Sequence, residues 1–103
     1  MVTIPIEPTK PRFVIHPISR DNIATRGKTN FSCEAFGIPR PAITWFKDNR
    51  SLPKDNRIQV NKALSVLTVD SVAPQDQGSY WCEANSDEGW DKSNIANLTG
   101  ELS

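Results

Sequence analysis

The side chains best suited to covalent or metal chemistry in this 103-residue sequence are Cys33, Cys82 and His16. A structural zinc site needs four Cys or His ligands, mostly in close-spaced pairs. Three such residues spread along the chain do not make that set, so no metal is expected. The cysteines are then either two buried thiols or one disulfide. His16 stands between Ile15 and Pro17, far from any G-x-S-x-G nucleophile motif, and reads as a surface or edge histidine. No Gly-rich phosphate cradle is read in the sequence. The expectation is a chain with no catalytic residue and no cofactor.

Modification chemistry is better represented. Asn30-Phe31-Ser32, Asn49-Arg50-Ser51 and Asn97-Leu98-Thr99 are acceptors for N-linked glycans. About one such match is expected by chance at this content of Asn, Ser and Thr. The excess favours a secretory, oxidising compartment, in which paired cysteines are also at home. Twelve basic residues balance twelve acidic ones. No charge excess therefore recruits nucleic acid or anionic lipid. No apolar run approaches the roughly 20 residues that cross a bilayer, so direct membrane insertion is not expected. Residues 1–10 show no charged leader followed by an apolar stretch, so the sequence reads as an excerpt of a longer secreted protein whose native start is not Met1.

These residues must be positioned by strands. Apolar residues make up 37% and charged residues 23%, which suits a packed domain, and the length suits one domain. Alternation with period two places Thr29, Phe31, Cys33 and Ala35 on one face and Asn30, Ser32 and Glu34 on the other. Gly37-Ile38-Pro39-Arg40-Pro41 breaks the chain, because prolines cannot sit in a central ladder. Ile43 and Trp45 alternate with Thr44 and Phe46, and Asp48-Asn49-Arg50 reads as a turn. Strands are expected over residues 57–60 and 64–69, with Leu67, Val69 and then Val72 inward. Ala73-Pro74-Gln75-Asp76 turns the chain. Tyr80, Cys82 and Ala84 then alternate with Ser79, Trp81 and Glu83. Ser86-Asp87-Glu88-Gly89 reads as a polar loop, and the last strand as residues 93–101. No stretch shows a capped helical period. The spacing of turns is that of an all-β sandwich.

Trp45 follows Cys33 by 12 positions and Cys82 follows it by 49, with Asp76-Gln77-Gly78-Ser79-Tyr80-Trp81-Cys82 leading into the second cysteine. This pattern resembles the immunoglobulin superfamily. The runs from Gly37 through Trp45 to Asp48, and Cys82-Glu83-Ala84-Asn85 followed by Gly89, are similar to its I-set subclass. Asn49 departs from the Gly found there in many relatives, but Asn also tolerates positive φ. The resemblance covers residues 12–102. It implies a two-sheet antiparallel sandwich with an inter-sheet disulfide between Cys33 and Cys82 and with Trp45 packed beside it. It further implies a tyrosine corner at Tyr80 and a structural ion pair between Arg57 and Asp76. Residues 1–11 read as a linker or an N-terminal extension, part of which could lengthen the first strand, and 12–103 as the domain.

In that fold Phe46 and Trp81 lie on neighbouring strands and point outward, with Thr44 and Glu83 beside them. Exposed aromatics with a polar rim mark an interface, so Phe46, Trp81 and Glu83 are candidates for binding a protein. Trp90, between acidic residues in the loop before the last strand, is another. A glycan on Asn97 would partly shield that aromatic face. The expected function is protein recognition, homophilic or heterophilic, within a multi-domain receptor, adhesion or matrix protein that also contacts neighbouring domains. The alternative is a spacer in a tandem array, including an intracellular muscle-scaffold type.

Overall fold

The computed structural model describes residues 7–100, where every regular element but one short turn is a strand. The strands are β1 (Thr9–Ile15), β2 (Arg20–Ile23), β3 (Thr29–Ser32), β4 (Glu34–Ile38), β5 (Ala42–Lys47), β6 (Arg50–Ser51), β7 (Ile58–Asn61), β8 (Val66–Val69), β9 (Gly78–Ser86), β10 (Gly89–Lys92) and β11 (Ala96–Gly100). A single 3-10 turn, Pro74–Asp76, precedes β9.

One layer has the order β2-β11-β9-β5-β6, with β10 also paired to β9. The facing layer is made of two ladders, β3-β8-β7 and β1-β4. β3 and β4 form one stretch of alternating residues that changes partner at Cys33, whose N–H donates to the Ser65 carbonyl at 3.1 Å. The expected sandwich is present, with one departure from a wholly antiparallel design. β11 runs parallel to β2, with Leu98 opposite Arg20 and Gly100 opposite Ile23.

The period-two reading of the core holds. Phe31, Cys33, Trp45, Leu67, Tyr80, Cys82, Ala84, Ala96 and Leu98 are buried together between the layers, and Ile43 packs against them. Burying side chains of this kind contributes about 1.5–3 kcal/mol each and is the main drive to fold. Phe31 stacks on Tyr80 at 5.0 Å between ring centroids and meets Trp45 at 6.5 Å.

Several boundaries differ from the sequence expectation: the strands expected over 64–69 and 93–101 begin at Val66 and Ala96. β1 starts at Thr9 and takes in the end of the stretch read as a linker or extension, because Thr9 pairs with Ile38 and its Oγ1 accepts the Ile38 N–H at 3.0 Å. Pro11 is tolerated since it falls in a register shift between Thr9 and Arg12. A further difference is β10, a strand in a segment that the sequence presents as loop. Gly89–Lys92 pairs with the end of β9, and the chain then breaks at Ser93, whose N–H donates to the Cys82 carbonyl while its Oγ accepts the Cys82 N–H. Gly-Trp-Asp-Lys shows too little apolar alternation to announce a strand, and its pairing with β9 is what makes it one. The expected end of the last strand at Glu101 and residues 1–6 of the expected linker lie outside the described residues.

Candidate functional site

The chemistry-bearing residues divide into an interior set and a surface set. Cys33 and Cys82 are joined in a disulfide that links the two layers. Trp45 lies directly opposite Cys82 across the β5–β9 ladder, so the indole and the bridge share the centre of the core. Tyr80 Oη donates to the Asp76 carbonyl at 2.6 Å, which forms the tyrosine corner. Burial first, and then the Asp76 and Asp48 charges, push the Tyr80 phenol well above its ordinary value.

Arg57 closes the bottom of the sandwich. Its guanidinium donates to both Asp76 oxygens, at 2.7 and 3.0 Å, and to Asp55 as well. It also reaches the Asp70 and Ser71 carbonyls, at 3.3 and 2.8 Å. Asp76 is only 1% exposed. Burial alone would raise its pKa, but the Arg57 guanidinium and the Ala73 N–H outweigh that and hold it below the usual carboxylate range. This pair ties two loops to the start of β9. Its geometry fits a structural role.

The surface set lies on the outer face of β5, β9 and β10. Phe46 is opposite Trp81 and Thr44 opposite Glu83 across β5–β9, while Lys92 is opposite Glu83 and Trp90 opposite Asn85 across β9–β10. Directly opposed residues point to one side of a sheet. The register therefore gathers Phe46, Trp81, Glu83 and Trp90 on one face. The expectation that Phe46 and Trp81 form an exposed aromatic pair is not met. Their rings stack at 4.4 Å and 17°, and the Lys92 ammonium sits 4.3 Å from the centroid of the Trp81 ring. Trp81 is left 9% exposed, with its indole N–H buried and unpartnered. The cover comes from β10, the strand that the sequence reading missed. Trp90, by contrast, is 63% exposed. Asn85 beside it donates to Glu83 Oε1 at 2.7 Å.

All three acceptor asparagines are exposed. Asn97 lies opposite Ser79 and its Oδ1 accepts the Ser79 hydroxyl at 2.9 Å, next to Trp81 on the same face. Asn49 occupies a hairpin turn and Asn30 the outer side of β3. His16 Nδ1 accepts the Asn94 N–H at 3.0 Å, tying β1 to the β10–β11 link. Among the described residues no group of three or more His, Cys, Asp or Glu is placed to hold a metal ion. Gly27-Lys28-Thr29 matches the last three residues of a phosphate loop, but it leads into a strand and not a helix.

A sandwich pinned by a disulfide, with a tryptophan beside the bridge and a tyrosine corner, matches what comparison with known proteins returns. The model of the immunoglobulin domain matches residues 10–86. The chain belongs to the immunoglobulin domain family. Human vascular endothelial growth factor receptor 1 is 31% identical over 77 residues, 75% of this chain and 6% of the receptor. The mouse basement membrane-specific heparan sulfate proteoglycan core protein is 44% identical over 59 residues, 57% of this chain and 2% of that protein. Extracellular domains 3–5 of Drosophila OTK superpose with a TM-score of 0.80 at 26% identity, covering 89% of this chain and 32% of that one. This immunoglobulin domain thus spans a small fraction of the curated relatives it matches.

Proposed function

We propose that this immunoglobulin domain is a protein-recognition module of a multi-domain extracellular or cell-surface protein, and that the β5–β9–β10 face makes the contact. The observation that carries the proposal is Trp90, an indole 63% exposed on β10, which is hydrogen-bonded along one side of β9. Glu83, Asn85 and Lys92 provide a polar rim on the same face. A large aromatic anchor inside a polar rim is the anatomy of an interface hot spot. Phe46 and Trp81 serve as the floor of that face and not as its contact surface. The relatives' own descriptions, a growth-factor receptor and a basement-membrane core protein, place such domains outside the cell. The disulfide suits that compartment.

The spacer reading keeps one observation in its favour. The Drosophila OTK domains occur in series, and an exposed tryptophan can dock on a neighbouring domain. Trp90→Ser separates the two readings. For a recognition module, partner binding by the parent protein falls about tenfold or more while the domain's Tm stays unchanged. Sedimentation equilibrium on the isolated, disulfide-bonded domain assigns homophilic contact if a dimer is lost in the variant. Full retention of partner binding would leave the spacer reading standing.

A further inference from the structure

Away from the Trp90 face the two layers part to form a groove of about 940 Å³. Clefts that hold ligands span roughly 300–1,000 Å³. The walls are two strand edges. β8 covers β3 only as far as Ser65, opposite Cys33, so among the described residues β4 has β1 on one side and no paired strand on the other. β5 has β9 along its length, but β6 pairs only with Phe46 and Lys47, which leaves residues 42–44 open on that side.

Backbone direction alternates along a strand. The Cys33 N–H points toward β8, and those of Ala35 and Gly37 follow it into the groove. Asp48 donates to Ser79 on the β9 side, so Ile43, of opposite parity, presents its peptide groups to the groove. Side chains at the lining are small where the backbone must be reached, at Ala35 and Gly37. Phe36 and Leu64, 54% and 68% exposed, supply apolar flanks. Arg40 and Lys62 line the groove against a single carboxylate, Glu34.

We propose that this groove is a strand-accepting site for an extended segment of a partner protein. The segment pairs its backbone with Ala35 and Gly37, places alternate apolar side chains against Phe36, Ile43 and Leu64, and sets an acidic side chain toward Arg40 and Lys62. Open edges are templates for added strands, in which main-chain bonds give affinity and side-chain pockets give specificity. The two basic side chains set against one carboxylate favour a separate, acidic extended segment over a second copy of this charge-balanced domain. The site is independent of the Trp90 face.

The test pans a displayed library of short random peptides on the disulfide-bonded domain and follows enriched peptides by amide NMR. Enriched sequences should alternate apolar residues and carry Asp or Glu. They should shift the amides of residues 34–37 and 42–44 and slow exchange at Ala35 and Gly37. Leu64→Asp and Arg40→Glu, both at exposed positions, should each weaken binding about tenfold, and Trp90→Ser should leave it unchanged. The proposal is overturned by no enrichment above uncoated support, by amide shifts confined to other surfaces, by binding that survives both substitutions, or by groove-mediated self-association that excludes the peptides.

Discussion

At Asp76, burial and charge pull in opposite directions, and charge wins because Arg57 meets both carboxylate oxygens. The depressed pKa has a signed consequence. A carboxylate held below its unfolded value, about 3.9, contributes stability that is complete above that pH and is lost as the pH falls through the folded value. Thermal stability should therefore be flat from neutral pH to about pH 5 and drop below about pH 4. Asp76→Asn should lower stability at neutral pH by about 2 kcal/mol and flatten the acid limb, as read by calorimetry across pH. An unchanged acid limb in the variant would contradict the assignment. The two tryptophans of the outer face make a second contrast. Trp81 is covered by Phe46 and Lys92, so Trp81→Ser should destabilise the domain by about 3–5 kcal/mol. Trp90→Ser should change stability by less than about 0.5 kcal/mol, since the side chain is largely in water. Chemical denaturation of both variants checks this, and equal effects would refute the division between floor and anchor.

Among the elements, the β5–β6 hairpin shows most directly how residue type selects backbone. Asp48 and Asn49 both have positive φ, 51° and 63°, as a two-residue turn of type I′ requires. That turn matches the twist of the strands it joins, and Asp48 Oδ1 also accepts the Ser79 N–H at 2.9 Å, fastening the hairpin to β9. Asn carries the left-handed conformation at little cost, whereas a β-branched residue does not. Asn49→Val should destabilise by about 1–2 kcal/mol and Asn49→Gly should leave stability equal or higher, measured by thermal melts. Indifference to Val would mean that the turn changes type. β10 shows the converse, an element set by its partner. Four residues with one apolar side chain become a strand because β9 offers them a ladder, and Asp91 Oδ2 accepts the Phe13 N–H at 3.0 Å from β1.

For the whole molecule, the bridge between Cys33 and Cys82 closes a loop of 49 positions and joins the layers at the core. In the chain-entropy model such a loop contributes about 4 kcal/mol. Replacing both cysteines by Ala should lower the unfolding free energy by about that amount in guanidinium titrations. A loss below about 1 kcal/mol would show that burial of Phe31, Trp45 and Tyr80 holds the layers without it.

The sequence by itself determined the strands that alternate cleanly, their inward faces and the turn at Asp48 and Asn49. These features depend on period-two burial and on local φ preference, which each segment carries alone. The same locality made the immunoglobulin pattern around Cys33, Trp45, Tyr80 and Cys82 legible. The resemblance to the family, and not local alternation, set Phe46, Trp81 and Glu83 on neighbouring strands and so on one side of the sheet. Only the tertiary structure decided which of these side chains meets water. Exposure of Trp81 depends on Lys92, eleven positions away, and on a ladder between β9 and β10 that no local signal announces. The parallel pairing of β2 with β11 and the uncovered edge of β4 have the same origin. Each depends on where a distant strand stops, and that is settled by packing of the complete core.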